Sequence, residues 1–302
     1  MMLEAKHLTK TFGDLVAVND VSFTVEPATI MGMIGQNGSG KTTIFRMLLD
    51  FLHPEKGGTV TWNGMPVSNQ VRNIVGYLPE ERGLYENMTI QDQVIYFARL
   101  RGMERDEIIE RLEFWMEKFA VKGKVTDKIK TLSKGNQQKV QVIGTLIHEP
   151  KLLILDEPFS GLDPVNAELL QNGIMELKAK GSSIIFSSHN MNNVEAMCDK
   201  LLMIHNGNKV LYGGVHEVRE SFGRTRLFIE TEDFTLEELK ALPGVTSVTE
   251  EYPNNYVLHL EDASYGKELY QIITKGQYIA KFVQLPPTLE EIFKTKAGEH
   301  HE

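Results

Sequence analysis

The stretch Gly35-Gln36-Asn37-Gly38-Ser39-Gly40-Lys41-Thr42-Thr43 decides the reading of this chain, because it fits the phosphate-loop pattern G-x-x-x-x-G-K-[ST] without a mismatch. Ahead of it, Ala28 to Ile34 is mostly apolar and of strand length. Behind it, Ile44 to Leu49 is helix-forming, so the loop has the strand-before, helix-after setting that the pattern needs. Its glycines let the backbone turn tightly and aim successive N–H groups at phosphate oxygens, while the following helix turns its positive end to the same anion. Lys41 would neutralise the β and γ oxygens of a nucleotide, and the Thr42 hydroxyl would hold Mg2+. The competing explanation is an ordinary glycine-rich turn with a solvated lysine.

With 302 residues the chain exceeds one average domain and suits a core of two hundred or so residues plus an appendage. A hydrophobic fraction of 41% and a charged fraction of 24% are those of a soluble globular protein. No apolar run approaches the roughly 20 residues that cross a bilayer, and Met1-Met2-Leu3-Glu4-Ala5-Lys6 is not a secretory signal, so a cytoplasmic location is expected. A single cysteine, Cys198, suits a reducing compartment and excludes a cysteine metal cluster. Net charge is −9, and from Gly223 onward 14 acidic side chains face 8 basic ones, which opposes nucleic-acid binding.

Outward from the loop, Leu3 to Leu8, Val16 to Val18 and Val21 to Val25 read as three short strands. Phe12 lies between them, either to stack on adenine or to close a strand end. Gly57 to Gly64 suggests a hairpin arm turning at Asn63-Gly64, and Ile74 to Leu78 another strand, followed by the polar connector Pro79 to Tyr85. From Thr89 to about Ala120 the spacing predicts a small helical insert, broken at Arg101-Gly102. Ser133 is placed to cap a helix running to about Ile147. Lys151-Leu152-Leu153-Ile154-Leu155-Asp156-Glu157 is a continuously apolar strand delivering two carboxylates at its carboxyl end, where open α/β sheets hold their ligands. Ile184 to His189 repeats the design with one histidine at its tip. Beyond a boundary at Gly223 the order is β-α-β-β-α-β, the ferredoxin-like split arrangement, closed by a helix over Leu289 to Lys296. The terminal Glu299-His300-His301-Glu302 reads as a solvated tail rather than a metal site.

The phosphate loop, Ser133-Lys134-Gly135, the strand ending in Asp156-Glu157, Ser160-Gly161-Leu162-Asp163 and His189 stand in this order. In that order the chain resembles the ATP-binding cassette of ABC transporters over residues 2 to 222. Residues 223–302, ending in Pro287-Thr288-Leu289-Glu290-Glu291-Ile292-Phe293, look like the appendage of cassettes serving ABC-2-type exporters for drugs or sodium. The resemblance implies an α/β phosphate-loop cassette with a mostly parallel core sheet, an antiparallel β arm and the helical insert at about 89–130, followed by a small α+β ferredoxin-like domain. It implies ATP and Mg2+ as cofactors, with Phe12 on adenine and Gly35, Gln36, Asn37, Gly38, Ser39, Gly40, Lys41, Thr42 and Thr43 on the phosphates. Asp156 would position Mg2+ with Thr42 and Glu80. Glu157 would orient the attacking water, and His189 would steady it against the γ-phosphate. Ser133 and Gly135 of one copy would face the phosphate held by a second copy, or by a paralogous cassette, with Asp163 joining the two sites. Separate integral membrane subunits would dock near Glu80 to Tyr85 and the helical insert, leaving this chain peripheral on the cytoplasmic face of the cell membrane.

Two departures stand out. Lys134 and Asn136 replace the family's usual glycine and glutamine, and Glu80 stands where the family has a glutamine. A carboxylate at 80 keeps an oxygen for the metal shell but adds negative charge near ATP, a role that Mg2+ dependence of a Glu80→Gln variant would read. Competing classes are a soluble cassette ATPase of translation or DNA maintenance and a phosphate-loop kinase. The first is opposed by the single phosphate loop, the short insert and the acidic charge, and the second leaves Ser133 and His189 without a use.

Overall fold

In the computed structural model, residues 2–299 are described apart from 56, 68–73 and 82, and the side chains of 297–299; His300 and His301 of the expected tail lie outside the described residues. The chain divides into two compact units, residues 1–213 and 214–302. In chain order the first holds β1 (Leu3–Phe12), β2 (Leu15–Val25), β3 (Ile30–Ile34), α1 (Lys41–Leu48), β4 (Thr59–Trp62), β5 (Met65–Pro66) and β6 (Val75–Leu78). There follow α2 (Ile90–Arg99), α3 (Arg105–Lys118), α4 (Lys134–Leu146), β7 (Leu152–Leu155), α5 (Pro164–Ala179), β8 (Ser183–Ser188), α6 (Met191–Met197), β9 (Lys200–His205) and β10 (Asn208–Gly214).

These strands form one sheet in the order β5-β4-β1-β2-β10-β9-β3-β8-β7-β6. From β9 to β6 the neighbours are parallel, whereas β1 pairs antiparallel with β2 and β4, giving the parallel core and the antiparallel arm. Every residue of β3, β7 and β8 is buried, as expected of central parallel strands covered on both faces. Over residues 3–25 the sequence suggests three short strands, but the structure has two long ones. His7 and Asp20 take left-handed backbone (φ 50° and 49°) and the register slips between Ala5 and Leu8, so the apparent strand ends are bulges.

The second unit contains α7 (Val215–Ser221), β11 (Arg226–Glu230), α8 (Leu236–Lys240), β12 (Val245–Tyr252), β13 (Asn255–Leu260), α9 (Tyr265–Thr274), β14 (Phe282–Leu285) and α10 (Leu289–Glu299). Its strands pair antiparallel in the order β12-β13-β11-β14, the order of the split β-α-β arrangement, over a core that includes Leu227, Ile229, Leu239, Leu258 and Leu269. Helix α7, which the sequence boundary at Gly223 leaves with the first domain, falls in the second. Arg219 Nε donates to the Pro287 carbonyl (2.9 Å), and Lys296 lies 5.8 Å from the Phe222 ring. Gly223, with φ +74°, ends α7 as a left-handed helix stop rather than marking a linker.

Candidate active site

Adjacency in the sheet builds the site: β3 lies beside β8 and β8 beside β7, so the loop after β3, the acids after β7 and the histidine after β8 emerge from neighbouring carboxyl ends. The loop's close turn depends on Gly35, where an added Cβ would meet the Ile204 carbonyl and Ser39 Oγ at 2.4 Å each. Its end is wound by Gly40, whose φ of 111° suits glycine, and α1 starts at Lys41. The first N–H groups of that helix have no intrahelical acceptor and are available to an anion.

Lys41 is buried and donates from Nζ to the carbonyls of Gly35 (2.7 Å) and Gln36 (3.1 Å), with Glu157 Oε1 at 4.0 Å. Burial lowers the ammonium below the usual lysine range, opposed by the charges of Glu157, Asp156 and Glu80. Asp156 is gripped at both oxygens: Thr42 Oγ1 donates to Oδ2 (3.0 Å) and Ser187 Oγ to Oδ1 (2.7 Å). Glu157, in left-handed backbone at φ 48°, donates its N–H to Ser187 Oγ (2.8 Å), and its Oε2 accepts from His189 Nδ1 (2.9 Å). With Nδ1 turned to the carboxylate, the other ring nitrogen, Nε2, is left for a further partner. Gln138 in α4 reaches the carbonyl after Glu157, donating to Pro158 O (3.1 Å), so the helix that Ser133 begins is tied to the acidic turn.

Not every residue named from the sequence joins this cluster. Ser133 is exposed and caps α4, accepting from Asn136 N (3.4 Å) and Asn136 Nδ2 (3.1 Å). Asp163 caps α5 in the same manner, accepting from Asn166 N at 2.9 Å. Phe12 stands 47% exposed at the end of β1 with Lys10 Nζ 5.9 Å from its ring. Glu80 is exposed, and its charge is felt at Lys41. Ser187 is the site residue that sequence reasoning passed over; the only available signal was a hydroxyl interrupting an apolar strand two places before the histidine.

The cluster fits a nucleotide and its metal. Ser39 Oγ and Glu157 Oε1 are buried without a hydrogen-bond partner among the described residues, which is costly unless something else meets them. Thr42 and Asp156 offer the hard oxygen donors that suit Mg2+. No group of three or more His, Cys, Asp or Glu among the described residues could hold a metal. A cation here would therefore complete its shell with phosphate and water, the usual habit of Mg2+.

The family model described as ABC transporter matches residues 18–160, and one described as ATP-binding protein DrrA1-3-like, C-terminal domain, matches residues 213–297. Over 301 residues, spanning all of both chains, the sequence is 42% identical to YhaQ of Bacillus subtilis, an uncharacterized ABC transporter ATP-binding protein. This chain belongs to the ABC transporter ATP-binding family. The cassette is also 31% identical over 302 residues to the Nod factor export ATP-binding protein I of Burkholderia lata, covering 98% of this chain and 97% of that one. A solved ATP binding subunit of an ABC transporter matches it with a TM-score of 0.69 and 31% identity, over 74% of this chain and 94% of that chain. As a member of this family, the cassette hydrolyses ATP to power transport.

Proposed function

We propose that this cassette drives an exporter, closing on ATP together with a second copy or a paralogous cassette and moving separate membrane subunits that carry the cargo. Export is supported by the named function of the Nod factor relative and by the DrrA-like second unit. The observation that carries the chemistry is the continuous run of contacts from Thr42 through Asp156, Ser187 and Glu157 to His189. Glu157 orients and polarises the attacking water, with Oε2 fixed by His189 and Oε1 open. Lys41 neutralises the γ-phosphate oxygens, giving up its bonds to the loop carbonyls when ATP arrives. Mg2+, held by Thr42 and through Asp156 with Glu80 near its shell, would draw charge from the β and γ oxygens. Phe12 meets adenine, and residues 35–43 wrap the phosphates. Ser133 and Gly135, at the exposed start of α4, complete the other copy's site with N–H groups and a hydroxyl, and Asp163 links the two across the interface.

The membrane subunits have a place to press on the cassette. A cleft of about 870 Å3 lies between α2, α4 and β6 and is lined by Phe51, Tyr85, Phe97, Leu100, Arg101 and His148 among others. Phe51 and Leu100 are each 62% exposed there, an apolar surface of the kind that partners cover. Among the described residues no helix is long and apolar enough to cross a membrane, which fits a peripheral subunit on the cytoplasmic face. The test is ATP turnover by the purified chain with Mg2+. Glu157→Gln should reduce it by about 100-fold or more while ATP binding survives. Turnover unchanged in that variant would remove Glu157 from the chemistry.

A further inference from the structure

We propose that Ser187 is a positioning residue for hydrolysis, setting through one hydroxyl both the metal-site carboxylate of Asp156 and the backbone from which Glu157 projects. The inference rests on the roles given above to Asp156 and Glu157. Ser187 ends an apolar run in β8, pairs with Met33 of β3, and has no exposed surface. A hydroxyl in such a place is unfavourable unless it is hydrogen-bonded. Its bonding is fully determined by the count of one proton: that proton goes to Asp156 Oδ1 (2.7 Å), leaving the lone pairs for the N–H of Glu157 (2.8 Å).

Other buried serines nearby spend their protons differently. Ser182, Ser183 and Ser188 donate to the main-chain carbonyls of Pro150, Glu26 and Asn190, the ordinary use of a serine in or beside a strand. Ser187 alone in that run donates to a carboxylate of the site. Asp156 has a second tether in Thr42, but Thr42 is itself a metal ligand in the proposed function. Ser187 is therefore the tether that leaves the metal donors free. At Glu157 the demand is steeper, because a non-glycine residue at φ 48° is held there only when its surroundings insist. Without the Ser187 oxygen, the buried Glu157 N–H loses this acceptor, and the carboxylate that faces Lys41 and His189 loses its fixed base.

The experiment compares the full-length parent, Ser187→Ala and Glu157→Gln. It reads kcat and KM for ATP, the Mg2+ concentration giving half-maximal turnover, the melting temperature, and ATP affinity in EDTA with a fluorescent ATP analogue. Ser187→Ala should lower kcat by about 10- to 100-fold, the scale of a small misplacement of a reacting group. Half-maximal Mg2+ should rise, with EDTA affinity kept and the melting temperature lowered by no more than a few degrees, the cost of one buried N–H left without its acceptor. Parental kcat in Ser187→Ala, with Glu157→Gln inactive, would overturn this inference and leave the proposed function standing. A joint fall of kcat, melting temperature and EDTA affinity would also overturn it, making the serine a packing residue. Full turnover in Glu157→Gln would instead defeat the function on which it rests.

Discussion

Lys41 shows how the site is held ready. Its ammonium satisfies the loop's own carbonyls, so in the proposed function the cation waits beside the phosphates at little cost in unpaired polar groups. The motif spacing made Lys41, Asp156, Glu157 and His189 legible in the sequence, because each sits at a strand or loop end that the pattern itself defines. Ser187 was not legible, since a serine near a strand exit reads as the start of a polar turn until the neighbouring strand is known. His148 was not legible either, because nothing in the sequence shows what packs against the end of α4. It follows α4, lines the cleft, and brings Nε2 to the Val75 carbonyl at 3.3 Å. Burial, aided by the charge of Arg101, holds its pKa down to about 4. Between about pH 6.5 and about pH 4 the unfolded chain binds a proton that the folded one excludes, so stability falls as pH falls through that window. From about pH 7 to about pH 5 the parent should lose about 2 kcal/mol more than His148→Gln. Both tryptophans, Trp62 and Trp115, lie in the first unit, so urea unfolding followed by their fluorescence reports on it. Equal pH dependence in the two proteins would contradict a part-buried imidazole kept neutral down to about pH 4.

At the scale of elements, the helical insert is joined to the core by two kinds of contact. Lys118 pairs with Glu176, Lys180 with Glu176 (3.3 Å) and Glu149 (2.8 Å), and Arg111 with Glu149 (3.6 Å), a chain of ions between α3 and α5. These side chains are partly solvated, and such pairs each contribute about 1 kcal/mol or less. Packing decides the joint: Trp115 and Phe119 stack with centroids 5.4 Å apart, and both rings are buried against α5 at Gly173. A Cβ at Gly173 would lie 2.7 Å from Phe119 Cζ. Gly173→Val should therefore destabilise the first unit by about 1 to 3 kcal/mol and speed amide exchange in α3 and α5 more than in β3. Unaltered protection in α3 would show that the ions carry the joint instead. The sequence revealed the insert's helices through their spacing and the Arg101-Gly102 break, but not this contact, because a glycine inside a helix carries no mark of what approaches it. Likewise the bulges at His7 and Asp20 looked like strand ends, since neither residue type advertises left-handed backbone.

On the scale of the whole molecule, the order of strands in the large sheet could not be read from one sequence. It depends on pairings such as β3 with β8, whose partners stand some 150 residues apart. What the sequence did carry was the set of motifs and the ends of strands and helices on which they sit. One set of residues gathers around the phosphate loop, while Ser133 and Asp163 stay exposed at helix starts, capping their own helices. In the proposed function, that separation leaves Ser133 and Asp163 free to serve the site of a second copy. The direct measurement is the mass of Glu157→Gln in solution by light scattering, with Mg2+ and ATP or ADP. ATP should double the 34.2 kDa mass of the chain, ADP should leave it single, and adding Ser133→Glu should abolish the doubling. A Glu157→Gln protein that binds ATP fully and stays at the single-chain mass would contradict closure on a second copy of this chain.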